Sequence, residues 1–446
     1  ASGVLANSSP ILSHIPIHMV RTAISVWLLT STVTCLRRWK EDPTQQPLAW
    51  NGVPFYMYEL PKWSTKCGYP ELALRQNIFP DIAFYEVMSS HPWRVHTPSD
   101  AKLFVVPAYL SLSAYGFCGS HAHNMHSLYD SLQNSKFFHA RNGADHVISA
   151  FAWILNPNRE RHAYGPLVPL LERMIVASFE SNPSMKSDRF KHAFAVPYGP
   201  VDVGMGLQSL ARDKRNHSVF FMGQADQRRA YQTRRIAIDK VSQFWPDSTM
   251  IQAAKNSRTA TFPQCLGKKI TGCWMTPSYD EYVALGRQSN YSLVIHGDTP
   301  STSRLYDMLQ FEQLPVIISK GFQETAMPFP YELPWSDFAI FLDQDAFEAD
   351  PRRIMEDAII HASNETKMML WKKVRPALDW SLRSECIGTA VLSHVARSFL
   401  GVGSLPRAWD SPHCQSPRPN PAPVDMQVRR LDVGRLKKVL MEGRFD

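Results

Sequence analysis

Small hydroxylated residues, a glycine and an arginine follow one another between two apolar runs, a combination that can bind an anion. The first run, residues 291–295, has the composition of a buried strand and ends before Gly297. A turn containing Ser301 and Ser303 comes next, and Arg304 begins a stretch with helical spacing. The unpaired N–H groups at a helix N-terminus and the helix dipole both favour negative charge. We therefore predict a phosphate-binding turn at this position.

A carboxylate lies one helical turn beyond the predicted phosphate site. Asp307 is placed to accept hydrogen bonds from ribose hydroxyls, and a second apolar run, residues 314–319, completes a strand–turn–helix–strand unit. Together these features indicate a nucleotide diphosphate as ligand. Two simpler interpretations stay open: Arg304 and Asp307 form an ion pair on the helix surface, or Ser301 and Ser303 only cap the helix.

The elements around this unit alternate between strand and helix, which predicts an α/β fold with parallel sheets. Predicted strands cover residues 54–61, 101–109, 146–155, 193–199, 217–223 and 338–342, and predicted helices cover residues 81–91, 234–245 and 351–375. The two series join near residue 211, so we expect two Rossmann-like domains with a cleft between them. Ligands of such sheets bind at the carboxyl ends of the strands.

The chain divides into four predicted segments. Residues 1–48 hold an apolar segment and a linker, residues 49–210 and 211–400 form the N-terminal and C-terminal Rossmann-like domains, and residues 401–446 form a Pro-rich and basic tail. The 446 residues carry a formal net charge of +8, which suits an anionic substrate or a membrane surface. No Lys/Arg run with interleaved aromatic residues is present, so we expect no nucleic-acid partner.

Three features bear on the cellular compartment. The apolar residues 22–36, short for a bilayer span of about 20 residues, are interpreted as a signal anchor, or as a hydrophobic leader or ordinary amphipathic helix. The positive cluster Arg37-Arg38-Trp39-Lys40 follows this segment, which by charge bias places the C-terminal side in the cytoplasm and conflicts with a lumenal enzyme. Four glycosylation sequons begin at Asn7, Asn216, Asn290 and Asn364. Six cysteines outside the apolar segment permit fifteen disulfide pairings, and buried free thiols remain an alternative.

Several motifs, in order, resemble the exostosin-like glycosyltransferases, glycosyltransferase family 47. They are YELP at 58–61, SDAKLFVVPAY at 99–109, RNGADHV at 141–147, FAVPYG at 194–199, SVFFMG at 218–223 and GDTPSTSRLYDMLQFEQLPVIIS at 297–319. The resemblance covers roughly residues 54–375. The last motif is the most specific, although Gln313 and Leu314 stand where the family usually has Gly-Cys.

The resemblance implies an inverting transferase of GT-B architecture that moves a sugar from a nucleotide donor, usually UDP, to a glycan or glycoprotein acceptor without an essential metal. It further implies a lumenal enzyme of the Golgi or endoplasmic reticulum, tethered to the membrane by its N-terminal segment, and is compatible with homo- or hetero-oligomers. By this resemblance, the residues expected at the donor are Gly297, Ser301, Ser303, Arg304, Asp307, Arg234 and Arg235. The candidate bases, in the N-terminal domain, are Glu59, Asp145 and His146.

Alternatives to this assignment also stay open. His146 is a core histidine and Asp145 a turn residue in the simpler interpretation. Asp343 and Asp345 follow a predicted strand and match a metal-binding Asp-x-Asp pattern, but their position after the phosphate-binding unit favours an ordinary acidic turn. A non-catalytic glycan-binding or scaffolding partner of an active transferase is the alternative function.

Overall fold

The computed structural model describes residues 52–68, 79–151, 164–180, 189–199, 214–225, 227–253, 272–274, 279–360, 364–403 and 405–415. The predicted anchor at residues 22–36, the sequon at Asn7 and the basic tail beyond residue 415 lie outside these ranges. Within the described ranges, no helix combines the length and the apolar character needed to cross a bilayer.

The first sheet has six parallel strands in the spatial order β2-β1-β3-β4-β5-β6. Its strands are β1 (Phe55–Met57), β2 (Arg94–Val95), β3 (Leu103–Val106), β4 (His146–Ser149), β5 (Ile175–Ser178) and β6 (Ala193–Ala195). All residues of β3, β4, β5 and β6 are buried, as expected for a parallel sheet covered on both faces.

The second sheet also has six parallel strands, in the order β12-β11-β10-β7-β8-β9. Its strands are β7 (His217–Gly223), β8 (Thr249–Ala253), β9 (Gly272–Trp274), β10 (Ser289–Ile295), β11 (Leu314–Ile318) and β12 (Ile340–Phe341). Counted within this sheet the order is 3-2-1-4-5-6, the dinucleotide-binding arrangement, and it reverses between β7 and β10. The predicted α/β class with two parallel Rossmann-like sheets is therefore confirmed.

Helices connect these strands. The α-helices are α1 (Phe79–Ser90), α2 (Leu110–Ala114), α3 (His121–Gln133), α4 (Lys136–Ala140), α5 (Val168–Leu171), α6 (Gln232–Ile236), α7 (Ser242–Phe244), α8 (Tyr279–Arg287), α9 (Arg304–Phe311), α10 (Phe322–Thr325), α11 (Trp335–Phe338), α12 (Gln344–Ala349), α13 (Pro351–Ile360), α14 (Asn364–Leu378), α15 (Glu385–Phe399) and α16 (Pro412–Gln415). A π-helical turn, Ala237–Val241, joins α6 to α7. Short 3₁₀ turns lie at Ser64–Lys66, Pro98–Asp100, Gly165–Leu167, Arg229–Tyr231, Trp380–Leu382 and Ala408–Asp410.

The segment after α14 returns to the first sheet and packs on its helices. The Trp380 indole Nε1 donates to the Pro197 carbonyl at 2.8 Å, and His91 after α1 hydrogen-bonds Thr389 of α15 at 3.1 Å. Disulfides join Cys67 to Cys118 and Cys386 to Cys414. These contacts connect the elements that surround the two sheets within one compact unit.

Gln313 and Leu314, which stand where the family usually has Gly-Cys, are both buried at the junction of α9 and β11. Helix α9 ends at Phe311, and the left-handed φ of 50° at the following residue, Glu312, turns the chain. The buried Gln313 side chain donates from Nε2 to the Gly286 carbonyl at 2.5 Å, and Leu314 opens β11. The strand–turn–helix–strand unit predicted from the sequence is therefore intact around this exchange.

Candidate functional site

The hydroxyl-rich turn lies where the strand order of the second sheet reverses. Strands β7 and β10 are neighbours, ending at Gly223 and Ile295, and the turn between β10 and α9 begins at their carboxyl edge. This is the position at which open parallel sheets bind ligands. The N-terminus of α9, an eight-residue helix, opens onto the same place.

Arg304 extends from the start of α9 toward the end of β7. Its guanidinium lies 5.0 Å from the centre of the Phe221 ring, a cation–π contact. A Cβ atom added to Gly223 would lie 3.0 Å from Arg304 Nη2, so the glycine leaves room for this side chain. Among the residues that the structure describes, the buried Arg304 Nε has no hydrogen-bond partner.

Arg234 binds backbone carbonyls at the same sheet edge. Its guanidinium donates to the carbonyls of His296 at 2.7 Å, Gln224 at 2.9 Å and Ile295 at 3.2 Å. Burial and the nearby positive charge of Arg304 lower the pKa of Arg234 to about 10. Arg234 therefore fixes the ends of β7 and β10 and adds positive charge.

Arg235, the second arginine of this pair, has a different environment. Its Nη1 donates to the Arg228 carbonyl at 2.9 Å. Arg228 itself pairs with Asp298 at 2.7 Å, with both side chains largely exposed. The structure thus brings Arg234, rather than Arg235, against the β10 carbonyls that begin the turn.

The carboxylate of Asp307 lies beneath the turn and is buried, with 2% of its surface exposed. Its Oδ2 accepts a hydrogen bond from the Tyr282 hydroxyl of α8 at 2.7 Å. Burial and the Asp307 charge raise the pKa of Tyr282 well above its usual value, while Arg304 opposes this through its charge and a hydrogen bond. Tyr282 thus connects Asp307 to Arg304. Because Asp307 is buried, Arg304 and Asp307 do not form an ion pair on the helix surface.

The turn residues themselves present polar groups to the space between the sheets. Gly297 donates its N–H to the Thr299 carbonyl at 3.0 Å, and an added Cβ there would lie 3.0 Å from Arg234 Nη2. Ser301 is buried and Ser303 is half-buried. Ser303 occupies the N-cap position of α9, but its hydroxyl makes no capping hydrogen bond, so helix capping does not account for it.

One carboxylate from the first sheet faces this turn. Glu180 follows β5, and its Oε1 accepts a hydrogen bond from the Ser301 N–H at 3.4 Å. Tyr198, which follows β6, stacks on Phe179 with ring centres 3.6 Å apart. Burial, and next the Glu180 charge, raise the pKa of Tyr198, while a hydrogen bond with Ser301 opposes this effect. The carboxyl edges of the two sheets therefore meet across the turn, the GT-B type of arrangement.

The sequence-predicted bases occupy other places. His146 is fully buried at the start of β4, where Nδ1 contacts Asp145 Oδ1 at 2.8 Å and Nε2 contacts the Tyr58 hydroxyl at 2.9 Å. This is the amino edge of the sheet, so the structure does not bring Asp145 and His146 to the turn. Glu59 is exposed just after β1, at the carboxyl edge.

The Asp343–Asp345 pair has structural partners. Asp343 caps α12 by accepting from the Ala346 N–H at 2.7 Å, and Asp345 pairs with Lys320 at 2.8 Å on the surface. In the described part of the chain, no group of three His, Cys, Asp or Glu side chains is arranged to hold a metal ion. The acidic-turn interpretation accounts for both carboxylates.

Taken together, the site offers two adjacent guanidinium groups and the N-terminus of α9 to an anion. Ser301 and Ser303 belong to the same turn, and the Glu180 carboxylate contacts the Ser301 N–H from the other sheet. Sequence reasoning missed Glu180 because β5 was not predicted. The apolar run of residues 174–179 directly before it was the available signal.

Comparison with known proteins agrees with this geometry. The exostosin GT47 domain model matches residues 49–357. A probable glucuronosyltransferase of Oryza sativa subsp. japonica is 24% identical over 301 residues, which is 65% of this chain and 66% of that protein. A probable arabinosyltransferase of Arabidopsis thaliana is 26% identical over 271 residues, which is 57% of this chain and 52% of that protein. The matched part thus spans slightly less than two thirds of one relative and about half of the other.

Among solved structures, the S. aureus MnaA–UDP complex shares 9% identity with this chain at a TM-score of 0.35, covering 79% of this chain and 99% of that one. At this TM-score the likeness supports no inference about ligand or activity. The domain match covers well over half of the chain and includes all the motifs quoted above. The chain therefore belongs to the exostosin family, glycosyltransferase family 47.

Proposed function

We propose that this protein transfers a sugar from a UDP-sugar to a glycan or glycoprotein acceptor, with inversion at the anomeric carbon. The observation that carries the proposal is the pair of arginines at the switch point of the second sheet. Arg304 and Arg234 are close enough for the charge of one to lower the pKa of the other. An anion such as the donor diphosphate would relieve this repulsion.

The donor diphosphate would lie at the N-terminus of α9. The Arg304 guanidinium, beside Gly223 and Phe221, would contact the diphosphate directly, and the Ser301 and Ser303 hydroxyls would add donors. Arg234 would contribute charge while holding the β10 carbonyls in place. Asp307 would act through Tyr282 to orient Arg304 rather than bind the ribose, because its carboxylate is buried.

The central experiment is a donor screen that measures UDP release from common UDP-sugars. UDP-glucuronate and UDP-arabinose come first, because the two relatives bear the names of glucuronosyl- and arabinosyltransferases. Arg304→Ala should lower turnover at least about 100-fold, the usual cost of removing a donor that stabilises a developing charge. Arg352→Ala, a change of an exposed arginine on α13, is the matched control and should retain activity.

Turnover by Arg304→Ala at the wild-type rate would contradict the site assignment. If the protein bound no UDP in calorimetry at millimolar ligand, a scaffolding role would replace the enzymatic one. We also propose that the reaction needs no metal ion, since positive side chains already surround the turn. Full turnover in EDTA is the expected result, and loss of turnover restored by Mn²⁺ would contradict it.

We further propose that the protein works in the lumen of the Golgi or endoplasmic reticulum, tethered by its N-terminal segment. The disulfides Cys67–Cys118 and Cys386–Cys414, both within the described residues, support an oxidising compartment. The sequon residue Asn216 is exposed, whereas the Asn290 Oδ1 is buried within β10. After expression in a eukaryotic secretory pathway, glycosidase treatment should remove a glycan that is absent from Asn216→Gln. An unglycosylated, cytosolic wild-type protein would contradict this location.

A further inference from the structure

We infer that Glu180 is the general base that accepts the proton of the acceptor hydroxyl. This inference rests on the proposed transferase function and assigns a residue to the role of general base in that reaction. An inverting displacement needs a base on the acceptor side of the sugar, across the cleft from the groups that hold the leaving diphosphate.

The position of Glu180 meets that requirement. It lies two residues beyond the end of β5, at the carboxyl edge of the first sheet. Its Oε1 contacts the Ser301 N–H of the second sheet at 3.4 Å, across a separation of 121 residues. Glu180 is half-buried, which leaves part of the side chain accessible to a substrate.

Aromatic packing holds the neighbouring wall of the cleft. Tyr198 stacks on Phe179, the residue before Glu180, and lies 6.0 Å from the Tyr306 ring of α9. Phe179 in turn stacks on Phe151, with ring centres 5.7 Å apart. These rings fix the strand end that carries Glu180 against α9, which keeps the backbone of Glu180 close to the turn while its side chain can still move.

Other acidic and imidazole groups of the first sheet are less suited to the role. Asp145 and His146 are bonded to each other at the amino edge, and the ring of His146 is fully enclosed. Asp81 is buried, with Oδ2 accepting from the Ser111 N–H at 2.7 Å. Glu59 lies at the correct edge, and the experiment below therefore includes it.

The contact between Glu180 and Ser301 also bears on how the Glu180 carboxylate would move when the donor binds. The Glu180 carboxylate accepts a hydrogen bond from the Ser301 N–H, which a donor phosphate oxygen would need. The bound diphosphate would displace the carboxylate from Ser301 toward the acceptor side by charge repulsion. Donor binding would thus place the base where the acceptor hydroxyl arrives.

The proposed transfer is a single displacement at the anomeric carbon. The acceptor oxygen forms a bond to the anomeric carbon while its proton passes to the Glu180 carboxylate. The bond between that carbon and the β-phosphate oxygen breaks, and its electron pair leaves with UDP. The negative charge that develops on UDP lies beside Arg304, and the protonated Glu180 later returns its proton to water.

The test compares Glu180→Gln with wild type, using the donor identified by the screen and UDP itself in calorimetry. We expect kcat for the hydroxyl acceptor to fall by about 10²–10⁴-fold, with UDP affinity equal to or higher than that of wild type. Azide attacks without losing a proton, so glycosyl azide formation by Glu180→Gln should persist. Glu172→Gln, which changes an acidic residue paired with Arg189 in the same half of the chain, is the control and should retain wild-type kcat.

Three results would overturn the inference. The first is Glu180→Gln turnover within fivefold of wild type. The second is a loss of turnover in Glu59→Gln without a loss in Glu180→Gln. The third is a Glu180→Gln protein that neither binds UDP nor forms glycosyl azide while circular dichroism shows it folded, which would make Glu180 a donor-site residue. A wild-type protein that turns over no UDP-sugar would instead defeat the proposed function itself, and this inference with it.

Discussion

At the scale of single residues, the site is defined by two like charges held close together. Arg234 is largely buried, and Arg304 adds to the lowering of its pKa. Positive groups that repel each other in a partly dehydrated place cost stability unless an anion lies between them. The two guanidinium groups thus repel each other, and a bound diphosphate would relieve this repulsion.

This repulsion predicts thermal stabilisation by the ligand. UDP at 100 times its Kd should add about 2.7 kcal/mol to the free energy of unfolding and raise the melting temperature. Uridine, which has no phosphate, should give a much smaller shift, and Arg304→Ala should abolish most of the UDP effect. Differential scanning fluorimetry measures all three, and equal shifts from uridine and UDP would show that the arginines do not bind the phosphates.

Gly223 provides a second test at this scale, because an added Cβ would lie 3.0 Å from Arg304 Nη2 and 3.2 Å from Nη1. Gly223→Ala should push the guanidinium aside and weaken UDP binding roughly three- to tenfold, about the worth of one hydrogen bond. Gly403→Ala is the matched control, since a Cβ there would meet nothing within 4 Å. Unchanged UDP affinity in Gly223→Ala would indicate that Arg304 does not reach the ligand from this position.

At the scale of elements, helices α8 and α9 are joined by a buried polar contact below the site. The Tyr282 hydroxyl of α8 donates to Asp307 of α9, and Arg304 at the start of α9 interacts with the same hydroxyl. Tyr282→Phe would remove this donor and leave the buried carboxylate poorly satisfied. We expect a loss of about 1–3 kcal/mol in the free energy of unfolding, together with weaker UDP binding.

Urea denaturation followed by calorimetry with UDP measures both effects of Tyr282→Phe. Tyr331→Phe is a suitable control, because Tyr331 is exposed and its ring should tolerate loss of the hydroxyl. A Tyr282→Phe protein with wild-type stability and wild-type UDP affinity would show that α8 does not support the position of Arg304.

The contact between Asp81 of helix α1 and the start of helix α2 predicts a dependence of stability on pH. Burial raises the pKa of Asp81 to about 8, against the opposing effect of hydrogen bonds from Ser111 and Leu112. The folded state therefore holds this proton more tightly than the unfolded chain, whose Asp pKa is about 4. The stabilisation that protonated Asp81 contributes is fully present below about pH 4 and is lost progressively as the pH rises to about 8.

Asp81→Asn removes this titration. Between pH 5 and pH 8, the free energy of unfolding of the wild type should decrease relative to that of Asp81→Asn, measured by urea denaturation at both pH values. A constant difference between the two proteins would show that Asp81 is ionised in the folded state throughout this range.

At the scale of the whole molecule, strong local patterns identified many elements and most of the residues around the turn. The strand at His217–Gly223 and the unit from β10 to β11 follow the sequence closely, because buried parallel strands are continuous apolar runs. Strands β2, β5, β8 and β9 are not among the strands predicted from the sequence. Because β5 was not predicted, Glu180, which follows it, was not recognised as a candidate site residue.

Contacts between segments that are distant in the chain could not be predicted from the sequence. The amino-edge position of His146, the return of α15 to the first sheet and the choice of Cys67–Cys118 and Cys386–Cys414 among fifteen pairings all depend on tertiary packing. Arg234 and Arg235 are adjacent in the chain and look equivalent, but only the fold determines which guanidinium reaches the β10 carbonyls.

The measurement that tests the central claim most directly is calorimetric titration of UDP into wild type and Arg304→Ala. A charge-assisted hydrogen bond contributes about 1.5–3 kcal/mol, so the substitution should weaken UDP binding by about 10- to 100-fold while Arg352→Ala leaves it unchanged. Equal UDP affinity in wild type and Arg304→Ala would contradict the assignment of the hydroxyl-rich turn as the site that holds the leaving diphosphate.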